Sequence, residues 1–206
     1  MNEEDRKKPE GSGLSRRDFM KIGGMTLAVP MVASPKVLRV GGEDVEVYGP
    51  EKTMVTLHVN GKPLRAELEP RVTLLDALRE TFDLTGSKRV CDRATCGACT
   101  VWLDEKPVYA CSMLAIDAQG HKITTIEGIS TPENMDPVQK AFWENDAQQC
   151  GFCTPGFVMA TKAFVEKNPH ATLEDARKGL SGNLCRCGTY VGIHSALRQL
   201  TGMKEA

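Results

Sequence analysis

Cys91-Asp92-Arg93-Ala94-Thr95-Cys96-Gly97-Ala98-Cys99 places three thiols on one short loop in the spacing CxxxxCxxC, and Cys111 follows with eleven residues between. Three ligands on a tight loop and a fourth on a neighbouring strand can wrap a compact two-iron centre, because loop N–H groups can turn toward the sulfurs and offset their negative charge. Gly97 and Ala98 leave room for that approach. Zinc would usually be held by two short-spaced knuckles, and only one such pair is present here.

The chain has eight cysteines, so a disulfide framework, zinc sites and iron-sulfur centres are all open from the count alone. The other four, in Cys150-Gly151-Phe152-Cys153 and Cys185-Arg186-Cys187, make CxxC, thirty-one residues, then CxC. Two thiolates one residue apart chelate a single tetrahedral zinc only with strain. They can share one iron of a cluster or edge it from a turn. By spacing alone this is a metal site, with iron-sulfur and zinc both open.

Around the first quartet the chain alternates in the manner of a small sheet. Val55, Leu57 and Val59 share one face, Asn60-Gly61 is a type I′ turn signal, and Leu64, Ala66 and Leu68 return. Thr73 is a helix cap with Asp76 placed to reach back, and Leu74, Leu75, Leu78 and Phe82 recur at helical spacing. Strands are expected at 100–103, 107–110 and 122–126.

Ser130 to Pro137 reads as a linker ending in an Asp136 cap with Pro137 at the first helical position. Helical signals follow: Val138, Ala141 and Phe142; Thr154-Pro155 as a cap before Phe157, Val158, Thr161, Phe164 and Val165; Thr172 with Asp175; and Ile193, Ala196, Leu197 and Leu200. The expected organisation is a signal and linker at 1–50, a sheet domain at 51–130, and a small four-helix domain at 136–206.

Leu14-Ser15-Arg16-Arg17-Asp18-Phe19-Met20-Lys21, followed by the weakly apolar Ile22 to Ala33, resembles a twin-arginine export signal. Val32 and Ser34 are small enough for a peptidase, although there is no Ala-x-Ala. That route carries folded cargo. It suits a cofactor inserted before export and gives a disulfide protein no advantage, so a periplasmic metalloprotein is expected.

The formal charge of −1 becomes −2 without residues 1–34, since six of 26 basic and five of 27 acidic residues leave 20 against 22. Neither balance suits nucleic acid. No apolar run reaches the roughly 20 residues of a membrane span. The chain carries no GxxxxGK, GxGxxG or HExxH motif, so it offers no nucleotide or zinc-hydrolase site of its own. Its histidines, His58, His121, His170 and His194, are scattered and form no Rieske pair.

Gln149-Cys150-Gly151-Phe152-Cys153-Thr154-Pro155-Gly156-Phe157 and Leu180-Ser181-Gly182-Asn183-Leu184-Cys185-Arg186-Cys187-Gly188-Thr189-Tyr190 resemble the iron-sulfur subunit of the molybdenum hydroxylases, the xanthine oxidase and aldehyde oxidoreductase family. The first quartet, with Cys96-Gly97-Ala98-Cys99-Thr100-Val101, matches as well, so the resemblance covers about residues 53 to 203. It implies an α+β chain, a β-grasp plant-type ferredoxin-like domain followed by a small four-helix bundle domain. It further implies one 2Fe-2S cluster on Cys91, Cys96, Cys99 and Cys111 and another on Cys150, Cys153, Cys185 and Cys187.

The implied function is electron transfer. Electrons would pass from a large molybdopterin-binding subunit that oxidises aldehydes or N-heterocycles to an FAD-binding subunit or other acceptor. Gln149 and Cys187 match positions that approach the pterin in relatives. The alternative of another class is a zinc-binding interaction module. One departure stands out: relatives commonly place glycine where this chain has Val90 and Ala94. A Cβ at a left-handed backbone position costs about 1 kcal/mol, so strain in the first loop is expected.

Overall fold

Residues 37–131 and 133–202 are described by a computed structural model; the twin-arginine segment and Ser34 lie outside them. Strands β1 (Val37–Val40) and β2 (Glu43–Glu46) pair antiparallel within a compact unit that ends at Tyr48. This hairpin falls where a linker was expected. Its signal was Gly41-Gly42, both at positive φ (63° and 94°) as a two-residue turn demands.

From Gly49 onward the chain is a second compact unit. Strand β3 (Thr53–Val59) turns through Asn60 and Gly61, at φ 51° and 77°, into β4 (Lys62–Leu68), as the alternation and the Asn-Gly pair predict. β5 (Thr100–Leu103), β6 (Lys106–Tyr109) and β7 (Lys122–Thr124) complete a five-stranded sheet of order β4-β3-β7-β5-β6. β7 runs parallel to β3 and antiparallel to β5, so the intervening helix and cysteine loop form the crossover.

Helix α1 starts at Leu74 with the Thr73 hydroxyl accepting from the Asp76 N–H at 3.1 Å. After Asp76 it widens into a turn of i→i+5 bonds over Ala77–Thr81, closed by the Phe82 N–H on the Ala77 carbonyl. The Asp76 carboxylate is turned to Arg89 instead of reaching back to its own cap. Leu74, Leu75, Ala77 and Leu78 are fully buried against Val55, Leu57, Val101 and Ile123, and this is the first core.

Four helices follow: α2 (Pro137–Glu144), α3 (Thr154–Lys167), α4 (Leu173–Gly179) and α5 (Tyr190–Thr201). Asp136 and Thr172 cap α2 and α4 with reciprocal bonds from Gln139 and Asp175. Thr154 is not a cap. Cys153 occupies that position in helical conformation, and Thr154 is the first helical residue, its hydroxyl buried with no hydrogen-bond partner. Val138, Phe142, Phe157, Leu173, Ile193 and Leu197 fill the second core.

The two cores meet at β5 and α3. Trp102 packs on Met159 and Ala163 and donates its indole N–H to the Met159 carbonyl at 2.9 Å. Lys162 lies over the Trp102 ring at 6.0 Å and pairs with Asp136 at 2.9 Å and Glu166 at 2.8 Å. Among the described residues no helix is long and apolar enough to cross a membrane.

Candidate metal centres

The loop from Lys88 to Cys99 is tied at its base by the Lys88 N–H on the Ala98 carbonyl at 3.1 Å. Arg89 reaches Asp76 and, at 3.2 Å, Glu80, while Arg79 donates to the carbonyls of Thr85 and Ser87 at 2.8 Å each. Helix α1 therefore holds the entry to the loop through charge-assisted bonds. Within it, Asp92, Ala94 and Gly97 take φ of 54°, 56° and 69°. The strain expected at Ala94 is present. Val90 is not among the positive-φ residues, so its side chain carries no such cost and simply stands exposed.

The left-handed turns point backbone N–H groups at sulfur. Ala94 N–H meets Cys111 Sγ at 3.2 Å and Thr95 N–H meets Cys91 Sγ at 3.4 Å. The Cys91 thiol is lowered to about 6, first by the Thr95 side chain and against a weaker effect of burial. Burial pushes Cys99 up to about 12. An electropositive loop on one side and a desolvated wall on the other are what a ligated anion needs in order to be both bound and shielded.

The second quartet sits where two loops run into helices. Cys150 to Cys153 leads directly into α3, and Cys185 to Cys187 leads through Gly188, at φ 77°, into α5. Helix N-termini favour negative charge. At Cys153 burial still dominates and raises the thiol to about 12. At Cys185 burial is outweighed by bonds from the Thr189 side chain and backbone, and the thiol falls to about 7. The Thr189 hydroxyl lies 3.1 Å from Cys185 Sγ. The Cys185 N–H donates to the Tyr190 hydroxyl at 2.9 Å, and Tyr190 stands edge-on to Phe157.

Each quartet is assembled in pairs. Cys91 contacts Cys96 and Cys99 contacts Cys111; Cys150 contacts Cys187 and Cys153 contacts Cys185. The CxC element thus contributes one thiol to each pair, not both to one. Among the described residues no three Cys, His, Asp or Glu side chains converge closely enough for a single ion, and all eight cysteines are free thiols. Two thiols on each of two irons is the donor set a 2Fe-2S rhomb requires, and the residues present fit it.

The quartets adjoin. The Leu184 N–H donates to the Cys96 carbonyl at 2.9 Å. Buried Asn183 donates to the Gly97 carbonyl at 2.9 Å, and the Tyr109 hydroxyl donates to the Gly182 carbonyl at 3.1 Å. A Cβ on Gly97 would lie 2.6 Å from the Asn183 side chain, so this glycine serves the contact between loops as well as the turn. In the sequence Gly156, Asn183, Thr189 and Tyr190 stand out only as members of a motif, and Tyr109 does not stand out at all. None belongs to a periodic pattern that could have revealed its role. Gln149, Cys150 and Cys187 are exposed, and exposed Phe152, Leu184 and Val191 lie beside the second quartet in sequence.

Residues 57–122 match the model of a 2Fe-2S iron-sulfur cluster binding domain, and residues 125–198 that of a [2Fe-2S] binding domain. The aldehyde oxidoreductase iron-sulfur-binding subunit PaoA of Escherichia coli (strain K12) is 37% identical over 209 residues, covering 94% of this chain and 91% of that protein. The nicotinate dehydrogenase small FeS subunit of Eubacterium barkeri is 44% identical over 147 residues, 71% of this chain and 94% of that one. Among solved structures, quinoline 2-oxidoreductase from Pseudomonas putida 86 superposes with a TM-score of 0.69 at 39% identity, covering 71% of this chain and 91% of the matched chain. Aldehyde oxidoreductase from Desulfovibrio gigas gives 0.68 at 37% identity, over 73% of this chain and 17% of that much longer one.

The protein is therefore an electron-transfer chain of the two-domain 2Fe-2S class. It belongs to the iron-sulfur small subunits of the molybdenum hydroxylases. A zinc-binding module is not favoured, since both halves match 2Fe-2S domains.

Proposed function

We propose that Cys91, Cys96, Cys99 and Cys111 would hold one 2Fe-2S cluster and Cys150, Cys153, Cys185 and Cys187 the other. A cluster supplies a one-electron carrier. The chain supplies the thiolates, the N–H groups of Ala94 and Thr95, and the wall of the first core that excludes water from Cys99 and Cys111. The carrier halves are a β-grasp ferredoxin-like domain at 51–130 and a four-helix domain at 136–206, preceded in sequence by the export signal and the β1–β2 hairpin.

The observation that carries this reading is the Leu184 N–H to Cys96 carbonyl bond. It joins a ligand of one quartet to the residue preceding a ligand of the other. Electrons enter at the helical quartet, whose exposed Cys150, Cys187 and Gln149 face a large molybdopterin-binding subunit, and leave from the loop of Cys91 toward an FAD-binding subunit or other acceptor. Aldehydes or N-heterocycles are the substrate classes, in keeping with the names of the relatives. The twin-arginine segment directs the folded subunit to the periplasm.

Affinity purification of the full-length chain from cells that make it, followed by metal and cofactor analysis, tests the partnership. A co-purifying large subunit carrying molybdenum is expected. A complex with its full iron content and no molybdenum would overturn it.

A further inference from the structure

We propose that Thr189 is a positioning residue that sets the reduction potential of the helical-domain centre by donating its hydroxyl hydrogen bond to the Cys185 thiolate. The inference rests on the ligand assignment above and extends it to a side chain that binds no iron.

Three observations carry it. First, Thr189 Oγ1 lies 3.1 Å from Cys185 Sγ. A ligated thiolate has no proton, so the hydroxyl must be the donor. Second, Thr189 occupies the N-cap of α5, where a threonine hydroxyl ordinarily accepts from the first turn of its own helix, yet it makes no cap bond. Its backbone, at φ −72° and ψ 22°, is not in the extended conformation of a capping residue. The hydroxyl has left the helix for the sulfur.

Third, the contact is rigidly framed. Gly188 turns at φ 77° with its N–H on the Cys185 carbonyl at 3.3 Å, and the Tyr190 hydroxyl accepts from the Cys185 N–H at 2.9 Å while its ring packs edge-on against Phe157. Cys185 is itself buried, where a hydrogen bond acts in a low dielectric. Reduction adds a negative charge shared by the sulfurs, so a donor to one of them stabilises the reduced form more than the oxidised form and raises the potential. In the first quartet Cys91 takes hydrogen bonds from the Thr95 side chain and N–H and Cys111 from the Ala94 N–H, and none of these involves Thr189. The helical centre carries a donor that a single substitution can remove.

The test is a redox titration by EPR of the assembled enzyme carrying Thr189→Val or Thr189→Ser. In Thr189→Val one of two 2Fe-2S signals should titrate at a lower potential while the other stays, and Thr189→Ser should keep the wild-type value. An unmoved midpoint in a Thr189→Val protein with both clusters, or equal movement of both, would overturn the inference. Should that variant lose its cluster, pulsed EPR of the reduced wild type after exchange into D2O reads the same contact. An exchangeable deuteron coupled to one centre, retained in Thr189→Ser and absent from Thr189→Ala, is expected, and no difference between those two would overturn it. Wild-type enzyme without two signals fails the ligand assignment itself, whereas two signals with an immobile midpoint fail this inference alone.

Discussion

Replacing Gly156 with alanine sets two physical effects against each other. Gly156 is buried in the first turn of α3, and on helix propensity alone alanine would stabilise by up to about 1 kcal/mol. Its Cβ, however, would lie 3.0 Å from Ala98 Cα and closer still to the Gly97 carbonyl oxygen. Those atoms are backbone between Cys96 and Cys99 and cannot swing aside as a side chain can. Relief requires α3 or the loop to move, at an overpacking cost of about 1–3 kcal/mol.

The movement also pulls on the buried Asn183 to Gly97 bond, and a buried donor left unmet costs a further 1–3 kcal/mol or so. The net expectation is a loss of about 3 kcal/mol, a large share of the roughly 5–15 kcal/mol that holds a typical domain. At a slope of about 2–3 kcal/mol per molar, the urea midpoint should fall by about 1 M. Anaerobic urea titration followed by visible absorbance and by fluorescence reads it, since buried Trp102 spans the same joint. An unchanged or raised midpoint would refute the close apposition of α3 and the Cys96–Cys99 loop.

Two further outcomes follow from the same geometry, and a third from the N-terminal sequence. Ala94→Gly should relieve the left-handed strain at φ 56° and stabilise by about 1 kcal/mol, seen as slower cluster loss from the first site on chelator challenge; equal loss rates would count against it. In cluster-free protein, Cys91, lowered to about 6, is a thiolate above that pH and a thiol below it. Its alkylation rate, followed by mass spectrometry, should climb between pH 5 and 7 and then level, and a rise that begins only near pH 8 would contradict the assignment. Lysines in place of Arg16 and Arg17 should leave the folded subunit in the cytoplasm, read by cell fractionation, and undiminished periplasmic delivery would refute the export reading.

The parts of the fold legible in the sequence are those written in local chemistry. The Asn60-Gly61 turn, the alternation of Val55, Leu57 and Val59, and the capping boxes at Asp136 and Thr172 each involve residues within a few positions of one another. The cysteine spacings are local in the same sense. Long-range contacts left no periodic trace. Asn183 meets Gly97 across 86 residues and Trp102 meets Met159 across 57, and neither pair is foreshadowed by spacing. Thr154 and Thr189 show the converse. A threonine before a helix reads as a cap, but at Thr154 the cysteine before it takes the cap position, and at Thr189 the sulfur takes the hydroxyl. Local rules fail beside the cysteines, where side chains answer to sulfur instead of to the helix.

Two unlike two-iron centres on one chain are open to direct measurement. Anaerobic purification of this subunit with its partners, quantification of iron and labile sulfide per copy of the chain, and EPR of the dithionite-reduced protein test for them directly. About four irons and four sulfides assignable to this chain, with two inequivalent 2Fe-2S signals, are expected. A colourless chain holding zinc, or a fully reduced protein with a single 2Fe-2S signal and about half that iron, would contradict it.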